Sequence, residues 1–522
     1  MNYVLSVLTG ILLVLSFPKF NYSFLSWISF IPLLYSARNA NKTKSFIYGF
    51  LSGVVFFCGL LYWILPTFKT AGEPLLVSLP ALLIFSAYLA LYFAVFSLLF
   101  NAFSKTNTIL KTAFLVSCLW VVLEYLRGCL FTGFPWGIIG YTQWNNLWLI
   151  QSSDILGVYG ISFVIIFANI TLYYSILLAK EKYVVKSIVE NKKLSETYLL
   201  MIISSLLIIV FLRYGDIRLY FISKTPQKNT VKITVLQGNV DQYKKWDEQY
   251  VSEILCKYSV LSADAYKKDS PDLIVWPESS VPGYLLENEH LSLWLKNLIS
   301  KSKTCHLIGS PDYQNGKYYN SAVLISQEGK LKDKYDKIHL VPFGELVPLK
   351  SVLSKYISAL NSLGDFTAGK KMTVFNISNE PKTAFSANIC FEAIFPSLIS
   401  KFENHEFIVN ITNDGWYLKT SAPYQHFVFN TFRAIENRKP LIRCANTGIS
   451  AYIDKTGRVI NKTELFETTF QTYSISPNKI KTIYAIYGDI FVLLSFFYLL
   501  YQTNVLIILF KIVKIWLLKI SK

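Results

Sequence analysis

Charge is what this sequence has least of. Asp, Glu, Lys and Arg make up 16% of its 522 residues, against about a quarter in an ordinary globular protein. Apolar residues reach 52% and mean hydropathy is +0.37, a balance that argues against a wholly water-soluble chain and for several membrane spans. Acidic residues are the scarcer sign, 33 against 51 basic, for a net charge of +18. Much of that excess sits in short loops between apolar runs, and no basic helix or nucleic-acid module is present. No nucleic-acid partner is expected. Cysteine is sparse as well. The seven residues, at 58, 118, 129, 256, 305, 390 and 444, are scattered and form no C-x-x-C pair. A disulfide framework and a zinc site are therefore not expected, nor is any other metal or cofactor. Most of these cysteines read as small buried hydrophobes.

What the sequence has is long apolar runs. They fall at Tyr3–Phe17, Phe24–Ala37, Phe46–Leu65, Leu75–Phe100, Thr112–Leu126, Ile155–Ala179 and Tyr198–Leu212, with a last one at Asp489–Phe510. That predicts about eight spans. The first run has no basic leader and no A-x-A-like cleavage site, so it reads as a retained helix rather than a secretory signal. Between the seventh and eighth runs the chain turns polar. The expected organisation is seven spans in 1–214, a polar domain over 225–480, an eighth span at 485–510 and a basic tail at 511–522.

Loop charge sets the expected orientation. With the N-terminus inside, the cytoplasmic connections carry Arg38, Lys42, Lys44, Lys105, Lys111, Lys180, Lys182, Lys186, Lys192 and Lys193, and the tail carries Lys511, Lys514, Lys519 and Lys522. The opposite short loops carry Lys19, Lys69 and Arg127. Fourteen against three is a positive-inside bias. Seven spans precede the polar domain, which places it outside, on the periplasmic face of a bacterial inner membrane, with both termini cytoplasmic.

Within the polar domain, strand-like and helix-like segments alternate. Strands are expected at Val231–Gln237, Leu273–Trp276, Ala322–Ser326, Leu331–Tyr335, Ala384–Ile389, Phe407–Ile411, Leu441–Ala445 and Ala451–Asp454. Helices are expected at Glu248–Tyr266, Leu291–Ser300, Glu392–Lys401 and Gln425–Asn437. The pattern predicts an α/β layered domain.

Three segments of this domain put a reactive side chain at a strand end. Glu278, in Val275-Trp276-Pro277-Glu278, follows a buried strand and a proline, so a stiff turn can hold its carboxylate as a general base. Read alone, it is as easily a surface loop glutamate. Lys337, in Tyr335-Asp336-Lys337-Ile338-His339, follows a strand and precedes an apolar turn, where a fixed cation can stabilise an oxyanion. Alone it reads more readily as a solvated lysine, and His339 as a structural histidine. Cys390, in Asn388-Ile389-Cys390-Phe391-Glu392, ends a strand and meets the positive end of the expected helix, an environment that favours the nucleophilic thiolate. Its plain alternative is a buried structural cysteine.

In this order the three segments resemble the nitrilase superfamily, whose triad is Glu-Lys-Cys on an αββα sandwich. The closer resemblance is to the apolipoprotein N-acyltransferases, and it covers essentially the whole chain. It is carried by Val235-Leu236-Gln237-Gly238-Asn239 with Trp246, by Trp276-Pro277-Glu278-Ser279, and by His339-Leu340-Val341-Pro342-Phe343-Gly344-Glu345. Cys390-Phe391-Glu392 and Asn413-Asp414-Gly415-Trp416, followed by His426 and Arg433, extend it. Gly133-Phe134-Pro135-Trp136 with Gly140-Tyr141 completes it in the apolar half. The resemblance implies a membrane-bundle-plus-nitrilase architecture, with Glu278 as base, Lys337 as oxyanion-stabilising cation and Cys390 as nucleophile. It further implies Glu345 and Glu392 as accessory acids and Trp246 on a mobile arm near the entrance. Phe391 stands where many members carry Tyr.

The implied reaction is acyl transfer from a glycerophospholipid, through a Cys thioester, to the N-terminal amine of a diacylglyceryl lipoprotein. Trp136 and Trp144 are expected at the membrane interface, and a monomer is expected. Two other readings fit parts of the sequence. A membrane-tethered amidase would use the same triad with water, but a soluble substrate needs no eight-span bundle. A transporter with a polar binding domain is the second, but the spans show neither an internal repeat nor many charges, poor support for an ion or solute path.

Overall fold

The computed structural model describes residues 1–185, 190–224, 230–346, 366–377 and 383–503, with the Trp246 side chain outside the description. Lys186 and the basic tail from 511 onward, which bear on orientation, lie outside the described residues. The chain divides into two compact units, Met1–Arg218 with the segment from Asp489 onward, and Leu219–Gly488.

The first unit is helical: α1 (Asn2–Ser16), α2 (Ile31–Arg38), α3 (Lys42–Leu60), α4 (Ile64–Thr70), α5 (Leu75–Thr106), α6 (Ile109–Arg127), α7 (Leu147–Ile150), α8 (Ser153–Ala179) and α9 (Asn191–Lys224). Five stretches, α3, α5, α6, α9 and α8 with its extension to Val184, are long and apolar enough to cross a membrane; α1 and Ile490–Gln502 are shorter apolar helices. The second expected run is not one helix. Ser23–Trp27 forms a 3-10 turn and the α-helix starts only at Ile31, with Pro32 in its first turn. Proline has no amide hydrogen to give, so a helix begins around it rather than running through it. The third run breaks similarly, α3 ending at Leu60 and α4 carrying Pro66. The seventh runs longer than expected, α9 reaching Lys224.

Lipid offers no hydrophobic incentive for apolar helices to associate, so close backbone approach and polar stitching do it instead. The pairing of α3 with α5 illustrates this. A Cβ on Gly49 would stand 2.3 Å from the Phe93 carbonyl oxygen, and one on Gly53 would stand 2.7 Å from Ala90 Cα. One helical turn away along the same seam, the Ser45 and Ser97 hydroxyls each donate to the other's carbonyl at 2.8 Å. Outward faces stay apolar: Leu76, Ile84, Ile202, Val210 and Leu494 are all more than half exposed, as lipid-facing residues are.

The second unit is a sandwich of two six-stranded mixed sheets. Their orders are β12-β1-β2-β3-β4-β5 and β11-β10-β9-β8-β7-β6. The first contains β1 (Val231–Gln237), β2 (Leu273–Val275), β3 (Cys305–Gln314), β4 (Lys317–Ile325), β5 (Leu331–Asp336) and β12 (Thr469–Ile475). The second contains β6 (Val374–Asn376), β7 (Ala384–Ile389), β8 (Phe407–Thr412), β9 (Leu441–Ala445), β10 (Ala451–Ile453) and β11 (Val459–Lys462). In each sheet three central strands are parallel, β1-β2-β3 and β7-β8-β9. Side chains of both sheets, including Ile233, Val275 and Leu307 with Phe385, Val409 and Ile442, form the central core. The outer face of the first sheet packs under α10 (Val251–Asp269) and α11 (Glu289–Ser302) through Trp276, Tyr258 and Leu295. Helix Ala422–Asn437 is buried along its length on the second sheet's side. This is the expected αββα layering.

Strands β3 and β4 form a long hairpin that the sequence reading did not place. Its turn, Asn315-Gly316, has positive φ at both residues (52° and 75°), which is the Asn-Gly signal of a two-residue hairpin. The expected helix Glu392–Lys401 is also different: a 3-10 turn at Cys390–Ile394 gives way at Phe395 to a single α-turn, Pro396–Ile399. Pro396 again sets the break.

Candidate active site

Four strand ends meet at one place. The chain leaving β2 carries Glu278, that leaving β5 carries Lys337, that leaving β7 carries Cys390, and that leaving β8 carries Asn413 and Asp414. Open α/β sheets form their sites at such carboxyl ends, where side chains from separate strands converge. Space for the Glu278 turn comes from Gly309 on β3, where a Cβ would lie 2.6 Å from Glu278 Cα.

Glu278 is buried and fully partnered. Its Oε1 accepts from Asn320 Nδ2 at 2.8 Å and from Lys337 Nζ at 3.3 Å, and its Oε2 accepts from the Asn413 N–H at 2.9 Å. Lys337, 1% exposed, also donates to Glu345 at 2.9 Å. Asn320 donates to Glu345 too, at 2.7 Å, so two carboxylates share an ammonium and an amide. Burial pulls the Lys337 pKa down, but Glu345, Glu278 and Cys390 outweigh it and hold the ammonium above its ordinary range. The two carboxylates therefore favour the charged form of Lys337.

Cys390 sits at φ +51°, left-handed for a non-glycine residue. Its carbonyl accepts from His426 Nε2 at 3.1 Å, and His426 Nδ1 lies 2.9 Å from Asp414. Asp414 in turn takes a 2.8 Å bond from Arg443, and Arg443 and His426 hold its carboxyl down at about 2 despite burial. The surroundings of Cys390 work against the expected thiolate. Burial pushes the Cys390 thiol well up, Glu278 and Asp414 add to the rise, and Lys337 offsets only part of it. A 3-10 turn offers too little helix dipole to reverse that. These surroundings favour the neutral thiol over the thiolate.

Glu392 makes no ion pair with Lys337 among the described contacts. Its Oε1 accepts from Tyr335 Oη at 2.8 Å, Ile338 N–H at 2.7 Å and His339 N–H at 3.0 Å, while Oε2 accepts from Ile389 N–H at 2.8 Å. It rivets the backbone before Cys390 to the backbone after Lys337. Phe391, buried, packs its ring against Phe395 and His339. Arg433 is buried in an ion pair with Glu436 at 2.9 Å. Trp246 closes a short turn, Lys244–Trp246. Trp136 corrects an expectation: it is 1% exposed and not at a lipid interface. It packs between Trp63 and Phe134, and its carbonyl accepts from Arg127, because the Gly133–Trp136 loop folds inward to satisfy a buried guanidinium. Trp144 is half-buried, donating to Asn21 at 2.8 Å. Asn320 was not anticipated; nothing near it in sequence announces a role, since its two carboxylate partners arrive from other strands. Lys245 was likewise missed. Among the described residues no group of three or more His, Cys, Asp or Glu is placed to hold a metal ion.

Residues 9–171 match the family of the apolipoprotein N-acyltransferase N-terminal domain, and residues 232–485 match the carbon-nitrogen hydrolases. The chain is 39% identical to the apolipoprotein N-acyltransferase of Geobacter metallireducens, over 94% of this chain and 92% of that one. The chain belongs to the apolipoprotein N-acyltransferase family. Within that family it is also 32% identical to the Haemophilus influenzae protein, over 94% of this chain and 91% of the relative. Its structure is similar to that of Saccharomyces cerevisiae Nit3, a nitrilase superfamily member, at 17% identity and a TM-score of 0.38, covering 48% of this chain and 92% of the other. The family member therefore joins a set of long apolar helices to a domain of two mixed sheets that matches the carbon-nitrogen hydrolases.

Proposed function

We propose that the chain acylates the N-terminal amine of diacylglyceryl lipoproteins, drawing the acyl group from a glycerophospholipid through a thioester on Cys390. The observation that carries the proposal is the buried grouping of Glu278, Lys337 and Cys390 at separate strand ends, in a chain whose other unit is built of lipid-soluble helices. Family membership supports the same acceptor.

In the first half-reaction Glu278 takes the Cys390 proton as sulfur bonds to the ester carbonyl carbon, and Lys337 faces the oxyanion that forms. Collapse breaks the ester bond; the departing lysophospholipid alkoxide recovers the proton from Glu278. In the second, the acceptor amine attacks the thioester, gives its proton to Glu278, and displaces the Cys390 thiolate, which is reprotonated. Two acyl transfers balance with no water consumed. Glu345 and Asn320 keep Lys337 and Glu278 in register, and Glu392 keeps the nucleophile's turn against the Lys337 segment. Trp246 is assigned to the arm by the entrance, and Phe391 packs behind the nucleophile. Trp136 supports the apolar unit from inside.

The loop charges support a bacterial inner-membrane location with both termini cytoplasmic and the catalytic unit periplasmic. The protein acts as a monomer with phospholipid, lipoprotein and membrane as its partners. Intact mass of the membrane-purified protein, beside Cys390→Ala, tests the reaction. A fatty-acyl increment that the variant lacks, that neutral hydroxylamine releases and that a diacylated lipopeptide discharges is the expected result. No increment after incubation with phospholipid would remove the lipid donor; discharge to water as fast as to the lipopeptide would make the protein a hydrolase.

A further inference from the structure

The segment after β1 is tied to the site at three points. Asn239 N–H donates to the Asn446 carbonyl at 2.9 Å, and Val240 exchanges bonds with the Asn446 side chain at 2.9 and 2.8 Å. Gln242 accepts from Asn413 Nδ2 at 2.7 Å, and Asn413 is the residue whose N–H reaches Glu278 Oε2. The third tie is Lys245. Its neighbours Tyr243 and Lys244 are exposed, yet Lys245 is 2% exposed and its Nζ donates to the carbonyl oxygen of Glu278 at 3.0 Å.

Burying an ammonium against a backbone carbonyl is costly, and the two half-reactions above make no use of it. The titratable groups acting on it come from two elements: Glu278 from the turn after β2, and Cys390 from the turn after β7. Burial lowers the Lys245 pKa to about 8, with Glu278 and Cys390 opposing that fall. The peptide it grips leads into Ser279, which is held at φ +46°, a conformation that L side chains adopt only under constraint.

We propose that Lys245 is a positioning residue for the general base: its ammonium clamps the Glu278 carbonyl, fixing the Glu278–Ser279 turn so that the carboxylate stays between Asn320, Lys337 and Asn413. This rests on Glu278 being the base. The clamp also links the segment bearing Trp246 to the catalytic carboxylate. The ammonium bond weakens as pH rises through about 8, because a neutral amine is a poorer donor.

The test is the rate of acyl-thioester formation from phospholipid, followed by quenched intact mass from neutral to alkaline pH. This half-reaction leaves out the acceptor amine, whose own titration would overlap. Lys245→Met should slow acylation about ten- to a hundredfold, with the phospholipid KM unchanged and without the wild type's alkaline fall near pH 8. Lys245→Arg, which stays charged, should hold the rate within a few-fold and carry no fall there. Wild-type rate and profile in Lys245→Met would overturn the proposal. So would equal losses in Met and Arg variants that both melt like the wild type, since the site would then be reading packing rather than charge. If the Met variant fails to fold, the Arg variant decides by whether its alkaline fall persists or goes. Glu278→Gln runs alongside: wild-type acylation there would sink the base assignment itself, whereas its loss beside an unaffected Lys245→Met sinks only the clamp.

Discussion

In the helical unit Glu124 accepts the Ile139 N–H at 2.8 Å, and Arg127 donates to the carbonyls of Phe134 and Trp136. In the catalytic unit Lys337 lies between Glu278 and Glu345. Both sets are buried, but their partners differ. Glu124 and Arg127 bond the backbone of one irregular segment, 134–139. The catalytic unit sets two carboxylates against one ammonium, beside a thiol whose proton, in the proposed reaction, passes to Glu278. Buried charge that meets backbone holds shape; buried charge that meets other charge and a nucleophile is available for chemistry.

That contrast can be broken or sharpened by substitution. The largest effects on rate belong to the catalytic unit: measured on the folded fraction, Glu278→Gln should slow acyl-enzyme formation by about 10²–10⁴ and Lys337→Met by about 10²–10³. Quenched mass analysis and calorimetry on the same preparations would show whether rate and stability separate. Arg127→Met should do the reverse, costing about 3–5 kcal/mol of stability while the folded fraction acylates normally. A hundredfold rate loss at an unchanged melting temperature would end the distinction.

Asp414 tests a mixed case, because it supports the Cys390 turn through His426. Its carboxyl is held at about 2, below the ordinary 3.8, so its stabilisation is full above 3.8 and is lost as pH falls through about 2. Asp414→Asn should remove about 2 kcal/mol at neutral pH and flatten the acid limb of a stability–pH curve. An unchanged limb would locate the acid sensitivity elsewhere. Smallest is Ser97→Ala, which deletes half of the Ser45–Ser97 exchange and should cost about 0.6 kcal/mol in a double-mutant cycle with Ser45→Ala.

Much of the site was legible because it lies in local signals. A carboxylate after a buried strand and proline, a lysine after a strand and a cysteine at a strand end are each visible in a few residues, and their shared order with the family resemblance supplies the roles. The same holds for the long apolar runs, whose length is fixed by the bilayer they match. What escaped was non-local. Asn320 sits in the middle of β4, and only its pairing with β3 and β5 brings it to two carboxylates. Lys245 looks like one of two adjacent surface lysines until the fold buries it and leaves Lys244 outside. The helix expected behind Cys390 has apolar periodicity, yet Pro396 and the left-handed Cys390 cut it to turns.

By itself the sequence determined where the chain is apolar, where strands alternate with helices, and which three side chains end strands. These follow from composition and from periods of a few residues. The tertiary structure alone decided the burial of Cys390 beside Glu278 and Lys337, the inward turn of Trp136 and the grip of Lys245 on Glu278. Those depend on which groups lose water together, and desolvation is a property of the packed neighbourhood rather than of any stretch of chain.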